Sequence, residues 1–524
     1  MPDRKKTLAA LAAFVAGYSL YRLWMIGGFP LSPDEAYYFA WSRVPAVSYY
    51  DQPGMVAWVD GLFALSFARP TAVTVRLGAV TLGALSILLA FWAYLQYRRD
   101  EREALAFSIV FSALPFSWLA GIIMIHDTAL LPWLLLAYGF ALRLARDDGR
   151  TADWLGFALA LTGAMYAKLS AVMVSWGIIL YMLWSPRGRQ WFKRWPPYAA
   201  GALIGVLYLP VVLWNRQHDW INFKAVGELT ATGPLPLSEH LGNFLDYVLS
   251  QPMMFSPVLG VVAFAGLSLA AGRAVRRRGE AEDMMPVCLA LPVFLYFAQL
   301  ALRAKVFGNW PGVAYFPVAL LAAGIVFRRR QSGQWTGLFG RRVLAAGLAL
   351  NLLLLGAASL HLTRRVFRPL FGAIEERCRL DRHLDWRLDL DFGGWDEAVQ
   401  IVERERGDAI IITRRYQVAS LLEFLLPDRP RVYSWNSGQR GNQWDLWPGP
   451  PPGRRDALFI DYKKLPKHFA ENCATVEPIY APLTVGDPRR PVKEWYVYRC
   501  RGWTGPLPAP RTAGKNPKNS DRSP

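Results

Sequence analysis

The chain has 524 residues, of which 53% are apolar and 19% are charged, and its formal net charge is +19. The apolar residues fall in runs of roughly 18–22, each about long enough to cross ~30 Å of hydrocarbon. This composition predicts a polytopic α-helical membrane protein, and no nucleic-acid-binding motif accompanies the positive charge.

Eleven runs are apolar enough to be membrane spans, and the segment 1–362 is therefore predicted to be a transmembrane domain. The first run follows Arg4, Lys5 and Lys6 and has no small-residue cleavage site after it, so we interpret it as a retained span rather than a signal peptide. The predicted spans are 8–27, 71–96, 104–123, 128–145, 153–168, 170–184, 197–214, 252–272, 285–302, 311–327 and 342–361.

The distribution of lysine and arginine predicts the orientation of these spans. Basic residues are concentrated at the N-terminus and in alternate loops, near 98–102, 143–150, 187–194, 273–278 and 328–342. The positive-inside rule then predicts a cytoplasmic N-terminus. An odd number of spans predicts a C-terminal region in the periplasm of a bacterial cell, outside the inner membrane. The loops on that outer side would be 28–70, 124–128, 215–250 and 303–310.

After His361 the composition becomes that of a soluble domain, which we predict to be α/β and to cover 363–502. Between 380 and 390 acidic and apolar residues alternate. Patterning predicts helices over 395–406 and 420–425 and strands over 409–413, 432–434, 457–461, 475–480 and 495–499. The segment 503–524 is rich in Pro, Gly, Lys and Ser and is predicted to be a disordered tail.

The region 363–524 has 28 basic and 21 acidic residues, a net charge of +7, which suits an anionic partner such as a charged glycolipid. Of the four cysteines, Cys473 and Cys500 lie near the two terminal strands and could form a disulfide, which would leave Cys378 unpaired. No spacing of cysteine and histidine resembles a zinc site.

The first outer loop, 28–70, is the most unusual stretch of the chain. Its residues 32–58 include three carboxylates, four tyrosines and two tryptophans directly after an apolar run. A simple connection between spans does not need carboxylates among aromatic rings. The pattern therefore predicts chemistry on a substrate held at the membrane surface, with Asp34, Glu35 and Asp51 as the acidic candidates.

Several motifs together resemble one family. In chain order they are SPDEAYYFAW, YYDQPGMVAW, HDTALLPWLLLA, GAMYAKLSAV, WNRQHDWINF, KVFGNWPGVAYF and GGWDEAV…QVASLLEFLLP…NQWDLW. Their order and extent, from about 30 to 450, are similar to the membrane glycosyltransferases that include protein O-mannosyltransferases and lipid A aminoarabinose transferases. The resemblance implies a GT-C fold, juxtamembrane helices in the first outer loop and a polyprenyl-phosphate-linked sugar as donor.

The resemblance matches the family's acidic residue in the first outer loop to Asp34, with Glu35 beside it, and implies that they are catalytic. A carboxylate there would take the acceptor's proton, or orient it, opposite the leaving phosphate. The structural alternative is that Asp34 only caps a helix after Pro33. Asp127 matches a second acidic position of the fold class, and could bind a sugar hydroxyl, hold a divalent cation together with Asp34, or simply cap the next span. His126 is either a substrate contact or an interface histidine.

Cations are needed near the phosphate of the donor. Lys168 interrupts an apolar stretch and is the first candidate, with snorkelling to the interface as the alternative. For the other cationic candidates, Arg216, His218, Arg303 and Lys305, a positive charge at the membrane surface is as good an explanation as a substrate contact. The further substrate-binding candidates are Arg216, His218, Arg303, Lys305, Asn309, Trp310, Tyr50 and Asp51. One departure matters, because Gln52, Pro53 and Gly54 stand where the aminoarabinose branch has a lysine and two prolines, so that branch's sugar is not carried over.

These features predict an inverting glycosyltransferase that transfers a sugar from a polyprenyl-phosphate carrier to a lipid or polysaccharide acceptor, with lipid A or the lipopolysaccharide core favoured. A protein O-mannosyltransferase would share the fold and the first loop. A transporter of lipid-linked sugars should show repeated halves and paired mid-membrane charges, which the sequence lacks. A scaffold protein would have no need of Asp34. No cofactor is indicated except a possible divalent cation, and nucleic acid is not a predicted partner.

Overall fold

The computed structural model describes residues 2–147, 149–230, 236–276, 281–332, 337–378, 380, 383–436, 440–451, 453–487, 490–505 and 507. Most of the predicted tail therefore lies outside the described residues. The described part is a helical membrane domain followed by a small domain built on a sheet.

The α-helices are α1 Pro2–Ile26, α2 Pro33–Ser42, α3 Met55–Ala64, α4 Ala72–Arg98, α5 Glu101–Ser112, α6 Pro115–Leu119, α7 His126–Arg146, α8 Thr151–Ala167, α9 Met173–Trp184, α10 Pro186–Trp191, α11 Pro196–Gln217, α12 Ile221–Thr230, α13 Leu237–Met253, α14 Pro257–Val275, α15 Ala281–Ala301, α16 Tyr315–Ser332, α17 Gly337–Arg364, α18 Arg368–Arg377, α19 Trp386–Phe392, α20 Trp395–Glu405, α21 Tyr416–Leu425 and α22 Lys467–Ala470. Short 3₁₀ turns cover Leu169–Val172, Trp310–Ala314 and Gln443–Asp445.

Eight helices in the described part of the chain are long and apolar enough to cross a membrane. They are α1, α4, α7, α11, α14, α15, α16 and α17, and each coincides with a predicted span. The other three predicted spans fall on shorter helices. The run 104–123 is divided into α5 and α6 because Leu114, which precedes Pro115, is extended rather than helical. The runs 153–168 and 170–184 become α8 and α9, separated by the extended backbone of Lys168.

The described part of the soluble domain contains six strands, β1 Ile410–Thr413, β2 Val432–Ser434, β3 Arg455–Asp461, β4 Thr475–Pro478, β5 Leu483–Asp487 and β6 Arg490–Trp503. The strand order is β2-β1-β3-β6-β4, with β5 also paired to β6. β1 runs parallel to β2 and β3, whereas β6 is antiparallel to β3, β4 and β5. The predicted α/β class is confirmed, and β5 is a strand that the sequence patterning did not predict.

The sheet is held by a buried apolar core and by a disulfide. Trp495 on β6 and Phe459 on β3 are completely buried. Cys473 and Cys500 form a disulfide, which confirms the predicted pairing, while Cys378 is free and exposed. Helix α20 ends one residue before its predicted end. Helix α21 begins four residues before its predicted start and ends where predicted. The acidic and apolar alternation over 380–390 leads into the short helix α19.

Candidate active site

Helix α2 begins with a complete capping box. The Ser32 side chain accepts from the backbone N–H of Glu35, and the Glu35 carboxylate accepts from the backbone N–H of Ser32 at 2.9 Å. Pro33 occupies the first turn, where its missing N–H costs nothing. The helix therefore starts at a fixed residue, and Asp34 is not its N-cap.

Glu35 is completely buried and forms a two-pronged ion pair with Arg76 of α4. Arg76 Nε and Nη2 each donate to one oxygen of Glu35 at 2.7 Å, and the backbone N–H of Met124 donates to Glu35 at 3.2 Å. Arg76 also donates to the carbonyls of Phe29 and Pro30 at 2.8 and 2.7 Å. Because its oxygens are all occupied, Glu35 has no capacity left for a substrate, and its geometry is that of a residue that fixes the 28–70 loop to α4.

Asp34 has the opposite environment. Its carboxylate is exposed and has no hydrogen-bond or ion-pair partner among the residues described. Even so, protein surrounds it closely, so the side chain lies in a recess that is open to solvent. Desolvation in this recess, together with the negative charges of Asp391, Asp51 and Glu35, raises the pKa of Asp34 to about 6, although Arg387 partly offsets this rise. An uncommitted carboxylate with a raised pKa is suited to accept a proton.

Four of the predicted site residues meet around Asp127, in the first turn of α7. Lys168 Nζ donates to Asp127 Oδ1 at 2.7 Å, and the Asn309 side-chain amide donates to Asp127 Oδ2 at 3.1 Å. His126 Nε2 lies 3.4 Å from Asp127 Oδ2. We call His126, Asp127, Lys168 and Asn309 the Asp127 cluster. Lys168 is only 6% exposed, so it does not snorkel, and Asp127 makes no helix-capping bond.

Tyr38 connects the Asp127 cluster to the helix that carries Asp34. Its hydroxyl lies 2.9 Å from His126 Nδ1. Since Asp34 and Tyr38 are four residues apart on α2, they project from the same face of the helix. Asp34 and the Asp127 cluster are therefore linked through α2 and Tyr38, although no contact among the described residues joins the two carboxylates directly.

Asp51 and Tyr50 contact the soluble domain. Tyr37 donates its hydroxyl to Asp51 at 2.8 Å, and Arg440 forms an ion pair with the same carboxylate. The side-chain oxygen of Gln443 accepts from the backbone N–H of Tyr50 at 2.7 Å, and the backbone N–H of Gln443 donates to the Tyr37 hydroxyl at 2.9 Å. Tyr50 is 1% exposed. Both residues therefore hold the 28–70 loop against the soluble domain.

The WNRQHDWINF motif acts through residues that the sequence did not single out. Asn222 donates to the backbone carbonyl of Tyr50 at 3.0 Å, and its side-chain oxygen accepts from Asn215 and from Ser48, both at 2.8 Å. By contrast, His218 bonds the carbonyl of Trp214 in its own helix at 2.8 Å and stacks on the Trp214 ring. Arg216 is exposed, and no described contact joins either residue to the Asp127 cluster.

The segment before α16 carries the remaining candidates. Arg303 and Lys305 are exposed, and the Lys305 ammonium lies 6.0 Å from the Phe307 ring. Trp310 is half-buried, and its ring is 5.7 Å from that of Phe307. Asn309 reaches the Asp127 cluster through its hydrogen bond to Asp127.

The residues present do not fit a divalent cation. No group of three or more His, Cys, Asp or Glu side chains with suitable spacing occurs in the described residues. Asp127 is already neutralised by Lys168, and a buried ammonium would repel a metal ion bound to the same carboxylate.

Known proteins resemble this chain over most of its length. Residues 51–214 match the family described as dolichyl-phosphate-mannose-protein mannosyltransferase. The lipid A galacturonosyltransferase RgtD of Rhizobium johnstonii is 25% identical over 80% of this chain and 83% of its own. The undecaprenyl phosphate-alpha-4-amino-4-deoxy-L-arabinose arabinosyl transferase of Pseudomonas aeruginosa is 27% identical over 61% of this chain, which spans only 57% of that protein.

The fold also matches a solved structure. The crystal structure of ArnT from Cupriavidus metallidurans in the apo state superposes with a TM-score of 0.56 at 16% identity, over 93% of this chain and 97% of that one. The helical membrane domain, the small sheet domain and these similarities define a multi-pass membrane glycosyltransferase. The chain is a glycosyltransferase of the GT-C fold, as the sequence motifs predicted.

Proposed function

We propose that the protein transfers a sugar from a polyprenyl-phosphate carrier to lipid A or the lipopolysaccharide core, at the outer face of the bacterial inner membrane. The similarity to a lipid A galacturonosyltransferase over 80% of the chain supports this acceptor class. The observation that carries the enzyme mechanism is the free carboxylate of Asp34 on the same helix face as Tyr38, which contacts the Asp127 cluster.

In the proposed reaction Asp34 acts as the general base. A hydroxyl oxygen of the acceptor attacks the anomeric carbon of the donor sugar, and the bond between that carbon and the phosphate oxygen breaks. The hydroxyl proton passes to Asp34, and polyprenyl phosphate leaves with the bonding electrons. Attack opposite the leaving group inverts the anomeric centre. Glu35 and Arg76 act as positioning residues, because they fix the turn of α2 that carries Asp34.

The Asp127 cluster is assigned to the donor. Lys168 uses one of its N–H donors on Asp127, and the described residues provide no second acceptor for it. An ammonium that is held in place and shielded from solvent can bind the departing phosphate through charge-assisted hydrogen bonds. Asn309 and His126 then orient Asp127 and, through it, Lys168. We assign no substrate contact to Arg216, His218, Arg303 or Lys305.

An apolar crevice suits the lipid part of such a donor. It is lined by apolar residues of α5, α14, α16 and α17, among them Phe111 and Leu259, and by Phe255, which lies between α13 and α14. The ring of Phe255 lies 5.2 Å from that of Tyr315, whose hydroxyl bonds the carbonyl of Gly308, next to Asn309. Packed side chains thus link one lining residue of the crevice to the residue before Asn309, and in our proposal a polyprenyl chain in the crevice directs its phosphate toward Lys168.

The membrane topology follows the charge distribution. A cytoplasmic N-terminus would put the 28–70 loop, the Asp127 cluster and the soluble domain on the periplasmic side, where lipid-linked donors and lipid A are both accessible after translocation. We retain the division into a membrane domain, 1–362, and a periplasmic domain, 363–502, as part of the proposal.

The test is a transfer assay with the purified full-length protein, a polyprenyl-phosphate sugar pool and extracted lipopolysaccharide, read by mass spectrometry. We expect one added sugar mass on lipid A or core with wild type and none with Asp34→Asn. Asp428→Asn, which changes an exposed carboxylate paired with Arg406, serves as the control and should retain activity.

Protein O-mannosylation is the second candidate, favoured by the family match over 51–214. A parallel assay with periplasmic proteins as acceptors separates the two. If the sugar appears on protein and never on lipopolysaccharide, the lipid acceptor is wrong while the mechanism at Asp34 stands. If wild type and Asp34→Asn give the same products, the proposed mechanism is wrong.

A further inference from the structure

Helix α19 of the soluble domain is fixed in place at both ends. At its start, buried Asp385 lies 3.3 Å from Nε2 of His361, in the last turn of α17, and 3.5 Å from a nitrogen of Arg365, which directly follows that helix. At its end, Lys493 donates to the carbonyl of Gly393 at 2.7 Å and Trp495 donates to that of Gly394 at 2.9 Å. Contacts with the end of the last candidate span, α17, and with strand β6 therefore hold the two ends of α19.

The same helix reaches the 28–70 loop beside Asp34. The ring of Phe392 packs edge-on against that of Phe29, with their centroids 5.7 Å apart. The Phe29 carbonyl is bound by Arg76, which also holds Glu35. One continuous set of contacts thus joins α19 to the stretch that precedes Asp34, and the charges of Arg387 and Asp391 on α19 act on the Asp34 carboxylate.

Arg387 is the cation of α19 whose charge acts on Asp34; it lies in the first turn of the helix. Its Nε donates to Asp391 Oδ2, one turn later, at 3.0 Å, while its side chain remains 69% exposed. The two terminal nitrogens make no hydrogen bond among the described residues. Both Arg387 and Asp391 act electrostatically on Asp34. Asp391 therefore aims a guanidinium that is free at its outer end, and the planar fork of arginine matches phosphate and carboxylate oxygens.

We propose that Arg387 binds an anionic group of the acceptor glycolipid, a phosphate monoester or a sugar-acid carboxylate, beside the hydroxyl that Asp34 activates. The inference rests on the proposed function. An acceptor rather than a donor contact follows from the stereochemistry, because an inverting transfer puts the base and the leaving phosphate on opposite sides of the anomeric carbon. A cation next to the base thus faces the acceptor. Asp391 is the positioning residue for Arg387.

The test compares Arg387→Gln with wild type on three acceptors: native lipopolysaccharide, the same material treated with phosphatase, and the same material with its carboxylates reduced. Arg404→Gln is the matched control, since Arg404 is a 64% exposed arginine of the same domain that pairs with Glu405 at 3.1 Å. We expect Arg387→Gln to raise KM for the native acceptor about tenfold, with KM for the donor unchanged. On the acceptor that has lost the recognised anion, wild type and variant should become equal.

The pattern of KM values decides the proposal. If Arg387→Gln raises KM equally for all three acceptors, or for the donor alone, the assignment to an acceptor anion is overturned. Binding of native lipopolysaccharide to the full-length protein, measured without donor, is a second readout. Equal binding by wild type and Arg387→Gln overturns the inference. If binding differs but wild type transfers no sugar to any of the three acceptors, the proposed function fails at its acceptor instead.

Discussion

Adjacent carboxylates have different fates in this protein. Glu35 is enclosed by Arg76 and backbone donors, whereas Asp34 is free. Glu35→Gln should therefore destabilise the protein by about 3–5 kcal/mol, because it leaves the completely buried Arg76 guanidinium without its counter-charge. Asp34→Asn should leave stability nearly unchanged and lower the transfer rate at least about a hundredfold. Thermal unfolding in detergent beside the transfer assay measures both, and equal melting temperatures for the two variants would contradict this division of roles.

The raised pKa of Asp34 sets the pH dependence of transfer. The carboxylate must be ionised to accept a proton, so kcat/KM should fall as the pH drops through about 6. Asp391→Asn removes a negative charge that raises this pKa, and the midpoint should then move to lower pH. Profiles between about pH 4.5 and 8 test this, with Asp428→Asn as the control that keeps the wild-type midpoint. An acid limb near pH 4 in wild type would show that another group governs the rate.

At the scale of elements, Lys493 fastens the turn between α19 and α20. It is 3% exposed, and its ammonium lies 3.9 Å from the centroid of the Trp395 ring. Burial lowers the pKa of Lys493 to about 7. Between pH 7 and its ordinary value near 10.5 the unfolded chain binds a proton that the folded protein does not, so stability should rise with pH across this window. Below pH 7 the ammonium is charged in both states and this contribution is flat.

Lys493→Met should remove that slope. The melting temperature of the full-length variant in detergent should therefore lie further below that of wild type at pH 9 than at pH 6.5. Lys464→Met, which changes an exposed lysine of the same domain, should follow the wild-type curve at both values. If the difference in melting temperature between Lys493→Met and wild type is the same at both pH values, the lysine contributes only packing and its hydrogen bond to Gly393.

The elements that sequence predicts well are those with a local signal. Spans follow from apolar runs, and β1 and β2 follow from short buried runs between turn residues. The sequence of β5 carries no such local signal. This segment is a strand because it pairs with β6. Members of the Asp127 cluster could be predicted from the sequence because they interrupt a local pattern, as Lys168 interrupts an apolar stretch. The roles of Arg76, Asn222 and Arg387 could not be predicted, because they come from contacts with residues far away in the sequence.

At the scale of the whole molecule, the membrane and soluble domains meet through the 28–70 loop. Gln443 is central to this junction, because its side-chain oxygen accepts from the buried backbone N–H of Tyr50, 393 residues away. Tyr37 packs between the two domains, 4.5 Å from the Tyr416 ring and 5.7 Å from the Trp444 ring. The soluble domain therefore holds the loop that presents Asp34, and catalysis should depend on the junction even though the junction contains no catalytic residue.

Gln443→Leu tests this dependence. The substitution leaves the Tyr50 N–H buried without an acceptor, which costs about 1–3 kcal/mol locally. We expect faster hydrogen exchange over 28–70 and a transfer rate reduced about tenfold, while the protein remains folded in detergent. Gln400→Leu, at an exposed position of α20, is the matched control and should change neither quantity. If Gln443→Leu loosens the loop and transfer is unaffected, the recess around Asp34 is held by the Glu35–Arg76 pair alone, and the soluble domain serves the acceptor rather than the loop.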